Sequence, residues 1–295
     1  VLLLLLYALK LQTCSLINLI TRVLYNVVII LNLFIITQIY MFKENKEFWL
    51  YILGTIVLMI LLYFVVVSYQ FPFVGFLSGE QEEKEIEWDS APTMSLQSGK
   101  DYRAKINTNK GVIEIDLFEE NAPIAVNNFV FLSNQGYYKG VGIHRVIRDF
   151  LIQTGSRTTL DDDKDNDALG DPGYYFEDEI NWNSLGLTQS QRKELEAAGY
   201  SNDTHVMSRR LEKYSVAMAN AGPDTNGSQF FLVTAGTADS RLDPLQGRHT
   251  VFGTVIGGFE VLDTINKAAI EDESDDSVSR PVGTYKVISV EIVIL

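Results

Sequence analysis

The chain reads as an all-β dominated domain, a closed antiparallel eight-stranded barrel capped by two helices, preceded by a transmembrane helix. Three observations predict this. From residue 102 apolar residues recur every second position through a first hairpin, the period of a half-buried strand, and six further short strand-like runs follow. Only two main stretches of that region keep helical spacing instead, and many short strands with two helices predict a barrel closed on itself. Upstream, residues 48–79 carry no charge at all.

The uncharged run contains WLYILGTIVLMILLYFVVV at 49–67, long enough to cross about 30 Å of hydrocarbon at ~1.5 Å per residue. Trp49 and Tyr51 flank one end, and Tyr69, Phe71 and Phe73 the other, as an interfacial aromatic belt requires. A cleaved signal peptide would have a shorter apolar region and a small-x-small site after it, which is absent here. Residues 41–77 are therefore expected to be a retained anchor. Lys43 and Lys46 precede the span and only Lys84 lies close behind it, so the N-terminal side is expected in the cytoplasm and the domain outside. Residues 1–40 hold a second uncharged run at 23–42, read either as an extra span or as sequence upstream of a true start at Met41. Residues 78–101 are polar, acidic and aperiodic, the composition of a flexible linker.

The domain is expected over 102–295. Ala104 and Ile106, then Ile113, Ile115 and Leu117, alternate on either side of TNKG at 108–111, a hairpin. Asn121 reads as the N-cap of the first helix, with Pro123 in its first turn. Ala125, Phe129 and Leu132 continue it until Gly136. Strands follow near 143–147, 150–154, 215–219, 229–233, 250–255 and 286–293, and a second helix near 259–269. Between them, TQSQ at 188–191 reads as a capping box and Gly199 as a stop for a short polar helix.

The formal net charge is −14, and the acidic excess falls almost entirely after residue 75. Such a surface repels phosphate backbones and excludes nucleic acid as a partner. The single cysteine, Cys14, lies in the apolar N-terminal stretch. The domain thus has no thiolate nucleophile, disulfide or thiolate metal site. Three widely spaced histidines argue against zinc. The acidic run at 161–167 lacks both the glycine and the closing glutamate of a calcium loop. No metal and no cofactor is expected.

Three motifs stand in order: IHRVIRDFLIQTG at 143–155, SVAMANAGPDTNGSQFFLVTA at 215–235, and GRHTVFG at 247–253. Together they resemble the cyclophilin-type peptidyl-prolyl cis-trans isomerases, over roughly residues 102–293, in a membrane-anchored, bacterial-like form with an insertion. The resemblance implies a cyclophilin-like barrel that acts as a monomer on proline-containing polypeptides. It implies rotation of X–Pro bonds in exported or surface proteins as they fold. The alternative is a non-catalytic prolyl-peptide binding module or holdase.

By the same resemblance Arg145 is the donor aimed at the prolyl nitrogen. Phe150, Leu151, Phe231, Leu245 and His249 line the proline slot. Gln153 and Asn220, with the backbone around Ala219, grip the substrate chain, and Gln229 completes the polar rim. In the Phe230-Phe231 pair, alternation predicts one ring inward and the other in the groove. His144 should point opposite to Arg145. Two departures from the family pattern stand out. The stretch SRLDPLQ at 240–246 is longer than usual and offers no tryptophan for the slot wall, with Leu245 taken as the slot leucine and Leu242 as the other candidate. About thirty extra residues precede Tyr214 and read as an exposed decoration.

Overall fold

Alternation in the first hairpin becomes buried-face geometry directly. In the computed structural model, which describes residues 57, 86–161, 163–236, 238–271 and 279–295, strand β1 is Tyr102–Thr108 and β2 is Gly111–Leu117. Ala104 and Ile106 on β1, and Ile113, Ile115 and Leu117 on β2, point into the core. Thr108 Oγ1 closes the turn, donating to the Gly111 carbonyl at 2.7 Å. Helix α1, Pro123–Asn134, follows, then β3 (Ile143–Ile147) and β4 (Leu151–Thr154). Helix α2 is Gln189–Ala197, with β5 at Ser215–Met218 and β6 at Phe230–Val233. Strand β7 (Val251–Gly257), helix α3 (Phe259–Asn266) and β8 (Val287–Ile294) complete the order.

The strands form one antiparallel sheet ordered β3-β4-β6-β5-β7-β2-β1-β8. The expected closed barrel is corrected here, because the ladder is open between β3 and β8. Those edges meet only through an isolated bridge at Gly142 and Lys286 and adjoining backbone bonds, such as Ile143 N–H to the Tyr285 carbonyl at 2.8 Å. The curled sheet encloses the larger core, in which Phe129 packs edge-on against Phe230 at 5.4 Å. Offset and edge-on ring contacts of this kind are preferred by the ring quadrupoles.

The cap of α1 differs from expectation. Ala122, not Asn121, holds the N-cap position, and makes no side-chain cap. Asn121 instead accepts from Arg209 Nε at 3.1 Å and donates to the Met207 carbonyl. The free N–H groups of Ile124 and Ala125 donate to the two carboxylate oxygens of Glu179, each at 2.9 Å. A carboxylate 55 residues away thus replaces the local cap, with the favourable charge for a helix N-terminus. The capping box at Thr188 and Gln191 forms as expected.

Among the described residues no helix is long and apolar enough to cross a membrane. The expected span at 49–67 and the apolar 1–40 segment lie outside the described residues, Val57 excepted. The chain divides into two compact units, Val1–Lys84 and Glu85–Leu295. Within the second, residues 86–101 do not behave as free linker. Trp88 packs edge-on against Phe131 at 5.1 Å and donates its backbone N–H to the Pro172 carbonyl. The buried Asn127 of α1 takes Ser95 N–H at 2.8 Å. The polar composition hid these contacts, which a tryptophan and one buried asparagine make possible.

Candidate functional site

Arg145 pairs with Gln153, Gln153 with Phe231, Phe231 with Ala217, and Ala217 with Val251. Residues paired across strands share a face. One row therefore runs from β3 to β7 on the side of the sheet away from the larger core. Residues one step off that row, Ile152, Phe230 and Leu232, point into the core. The Phe230-Phe231 pair splits as alternation requires, Phe230 inward and Phe231 in the second cluster.

A polarised chain of side chains starts at Arg145. Its Nη1 donates to Gln153 Oε1 at 3.1 Å, and Gln153 Nε2 donates to Gln229 Oε1 at 3.0 Å. Gln229 Nε2 ends the chain on the carbonyls of Ala168 and Gly170, at 2.8 and 3.0 Å. Those carbonyls can only accept, so they orient Gln229, which orients Gln153, which presents an oxygen to the guanidinium. Arg145 is held by the loop at 168–170 through two intermediaries.

Next to this chain lies a second apolar cluster. Phe150, Leu151, Phe231 and Leu242 are buried in it, and Ala219 and Leu245 pack against it half-buried. Of the two candidate leucines, Leu242 is enclosed in this cluster and Leu245, the one expected to line the slot, lies at its margin. The 3-10 turn Ser240–Leu245 explains this, for it places the side chain of Leu242 inward. His249 meets the edge of Phe231 at 5.2 Å and 90°. Its Nδ1 carries the proton, because it lies 3.1 Å from the Met218 carbonyl. Burial, assisted by the nearby Arg248, lowers its pKa to about 4, so the ring is neutral at physiological pH.

Where a slot tryptophan was missing, the structure supplies Arg241. Its guanidinium lies 4.6 Å from the Phe150 ring centroid. Asp239 fixes it through a bond of 2.6 Å to Nη2, which also reaches the Asp149 carbonyl at 2.7 Å. Asp149 has φ 54°, the left-handed region that aspartate tolerates better than most residues. Asn266 stabilises it by exchanging two hydrogen bonds with its N–H and carboxylate.

The polar side opens into a cleft of about 240 Å3 lined by Gln153, Ala219, Asn220 and Gln229, with Leu169 and Tyr175 on its rim. Asn220 is present but turned inward. Its Nδ2 donates to the Arg248 carbonyl at 2.8 Å and, more weakly, to Asp178 Oδ1 at 3.4 Å. Asp178 is buried, accepts from Asn226 and the Asp224 N–H, and burial raises its pKa. The two sides meet at the Arg145–Gln153–Phe231 row.

His144 lies off the site. It sits where the β3–β4 register slips, is buried, and among the described residues has no hydrogen-bond partner for either ring nitrogen. Burial and the charges of Arg145 and Arg280 lower its pKa to about 4. Sequence reasoning preferred Leu245 to Leu242, and passed over Arg241 and Asp178 altogether. Leu242 was half-legible as one of two leucines in a long loop. The other two act through contacts that no local pattern announces.

A model of the cyclophilin type peptidyl-prolyl cis-trans isomerase family matches residues 103–292. The chain is 34% identical over 183 residues to peptidyl-prolyl cis-trans isomerase-like 1 of Homo sapiens, covering 62% of this chain and 87% of that one. It is 30% identical over 191 residues to peptidyl-prolyl cis-trans isomerase CYP18-2 of Arabidopsis thaliana, covering 64% and 92%. Against peptidyl-prolyl cis-trans isomerase cyp15 of Rhizopus delemar it is 35% identical over 189 residues, 64% of this chain but only 24% of that relative. With the family model spanning well over half of its length, the chain belongs to the cyclophilin-type peptidyl-prolyl cis-trans isomerase family.

Proposed function

We propose that this isomerase turns X–Pro bonds in exported or surface proteins, held at a membrane by the 49–67 run with its domain outside the cytoplasm. The observation that carries the catalytic reading is the Arg145–Gln153–Gln229 chain bordering an apolar cluster around Phe231. Rotating a peptide bond costs ~18–20 kcal/mol, because the nitrogen lone pair is conjugated with the carbonyl. The twisted form regains that lone pair, and a catalyst must bind it better than either planar form. A guanidinium stays charged and can donate to the lone pair without giving up its proton. One charge-assisted hydrogen bond contributes roughly 1.5–3 kcal/mol, or about one to two decades in rate. The remainder comes from desolvation of the slot and from holding the flanking chain while the bond turns.

The membrane anchor is supported by the uncharged run, its aromatic ends and the lysines before it. Two measurements test the proposal. The full chain should accelerate cis-to-trans conversion of short X–Pro peptides, whereas a folded chain that binds them without turnover is a binding module. Protease added to intact cells should release the domain by cutting between the span and residue 86. Protection until lysis would place the domain on the other side.

A further inference from the structure

Residues 181–213 build a small separate core next to the groove. Trp182, Leu185, Leu187, Leu195 and Tyr200 bury one another with Ile180, and α2 contributes its buried Leu195. Three consecutive residues of the main domain are fastened to this module. The Gln246 side chain exchanges two hydrogen bonds with the Leu211 backbone, at 3.1 and 2.8 Å. Gly247, at φ 80°, lies so close beneath the module that a Cβ there would stand 2.7 Å from Leu195 and 2.8 Å from Leu187. Arg248 places its guanidinium 5.3 Å from the Tyr200 ring centroid and pairs with Glu194 at 3.3 Å.

The next residue is His249, against Phe231, and the Arg248 carbonyl holds the Asn220 amide. Both sides of the groove thus hang on the 246–248 stretch. The Glu194 carboxylate is largely exposed, so that ion pair alone contributes little. The seat on the buried Tyr200 and the close approach at Gly247 fix the 246–248 turn instead.

We propose that the 181–213 module is a positioning clamp for the substrate groove, with Arg248 as its main positioning residue. This rests on the isomerase reading. The clamp sets Asn220 and His249, which flank the bound chain. The clamp makes none of the bonds that run from Arg145 through Gln153 and Gln229 to the carbonyls of Ala168 and Gly170. Its loss should therefore weaken the hold on substrate more than the turning of the bond.

The test is steady-state isomerisation of an X–Pro tetrapeptide by the full chain and by Arg248→Ala, Arg248→Lys and Glu194→Gln. Arg248→Ala should raise KM about fivefold with kcat within about twofold of the parent. Arg248→Lys keeps a cation over Tyr200 and should recover most of the difference. Glu194→Gln should shift KM in the same direction by less than about twofold. If Arg248→Ala fails to fold, Tyr200→Leu removes the same seat and should give the same rise in KM. An unchanged KM in a folded variant, a fall in kcat alone, or no recovery with lysine would overturn the clamp. An inactive parent would overturn the isomerase reading itself, and the clamp with it.

Discussion

The side-chain carbonyl of Gln153 accepts from Arg145 Nη1 at 3.1 Å, and that bond fixes the direction of the guanidinium. Gln153 can offer its oxygen only because Gln229 takes its amide, and Gln229 is itself fixed by the carbonyls of Ala168 and Gly170. Gln153→Ala should therefore remove one of the bonds that orient the guanidinium and lower kcat/KM by about tenfold, the scale of one lost hydrogen bond to a charged group. Gln229→Ala, one step further out, should cost less. Equal activity in Gln153→Ala would show that Arg145 is oriented by other contacts.

Glu179 gives a pH signature. Burial pushes its pKa up to about 7 from the ordinary 4.5, against the lowering effect of the Ile124 and Ala125 N–H groups. The folded chain therefore binds this proton more tightly than the unfolded chain. Its contribution is fully present below pH 4.5 and is lost as pH rises through 7. Urea unfolding of the parent and of Glu179→Gln at about pH 5 and about pH 8 should show this, the parent gaining on the variant at the lower pH. Glu179→Ala, leaving the α1 terminus without a partner, should cost about 1–2 kcal/mol at about pH 5 and less at about pH 8. His144 and His249 act in the other direction. Their folded pKa values are lowered to about 4, so their contribution is present above 6.5 and lost as pH falls through 4.

The sequence made the strands legible because burial on one face imposes period two, and the pairs Phe230-Phe231 and His144-Arg145 could be split on that basis alone. Motif order made the family legible as well. Contacts across long sequence separations were not legible. Asn121 looked like a cap, yet the cap came from Glu179, because a carboxylate from another loop reached the same N–H groups. Leu242 and Leu245 are equally apolar, and only the turn of the 240–245 stretch decides which one is enclosed. The module at 181–213 read as decoration because its helix is polar, whereas its inner face grips the residues beside the groove.

The 240–246 loop offers no tryptophan for the slot wall. Arg241 lies over Phe150 and is tied to Asp239. Without an indole N–H and its aromatic face, the grip on the cyclic peptide cyclosporin should fall by ~1–3 kcal/mol, or about one to two decades in affinity. The proline ring needs only the apolar cluster around Phe150 and Phe231, so turnover should persist. An inhibition titration checks this, and tight stoichiometric inhibition would show that Arg241 or its loop replaces the lost contacts.

The role proposed for Arg145, stabilising the twisted X–Pro bond, is measured directly by kcat/KM for peptide isomerisation by the full chain and by Arg145→Ala. The parent should accelerate cis-to-trans conversion, and Arg145→Ala should remain folded while losing about a hundredfold. Arg145→Lys should stay poor, since a point charge does not replace the planar fork that Gln153 orients. A folded Arg145→Ala variant with parental kcat/KM would contradict the account.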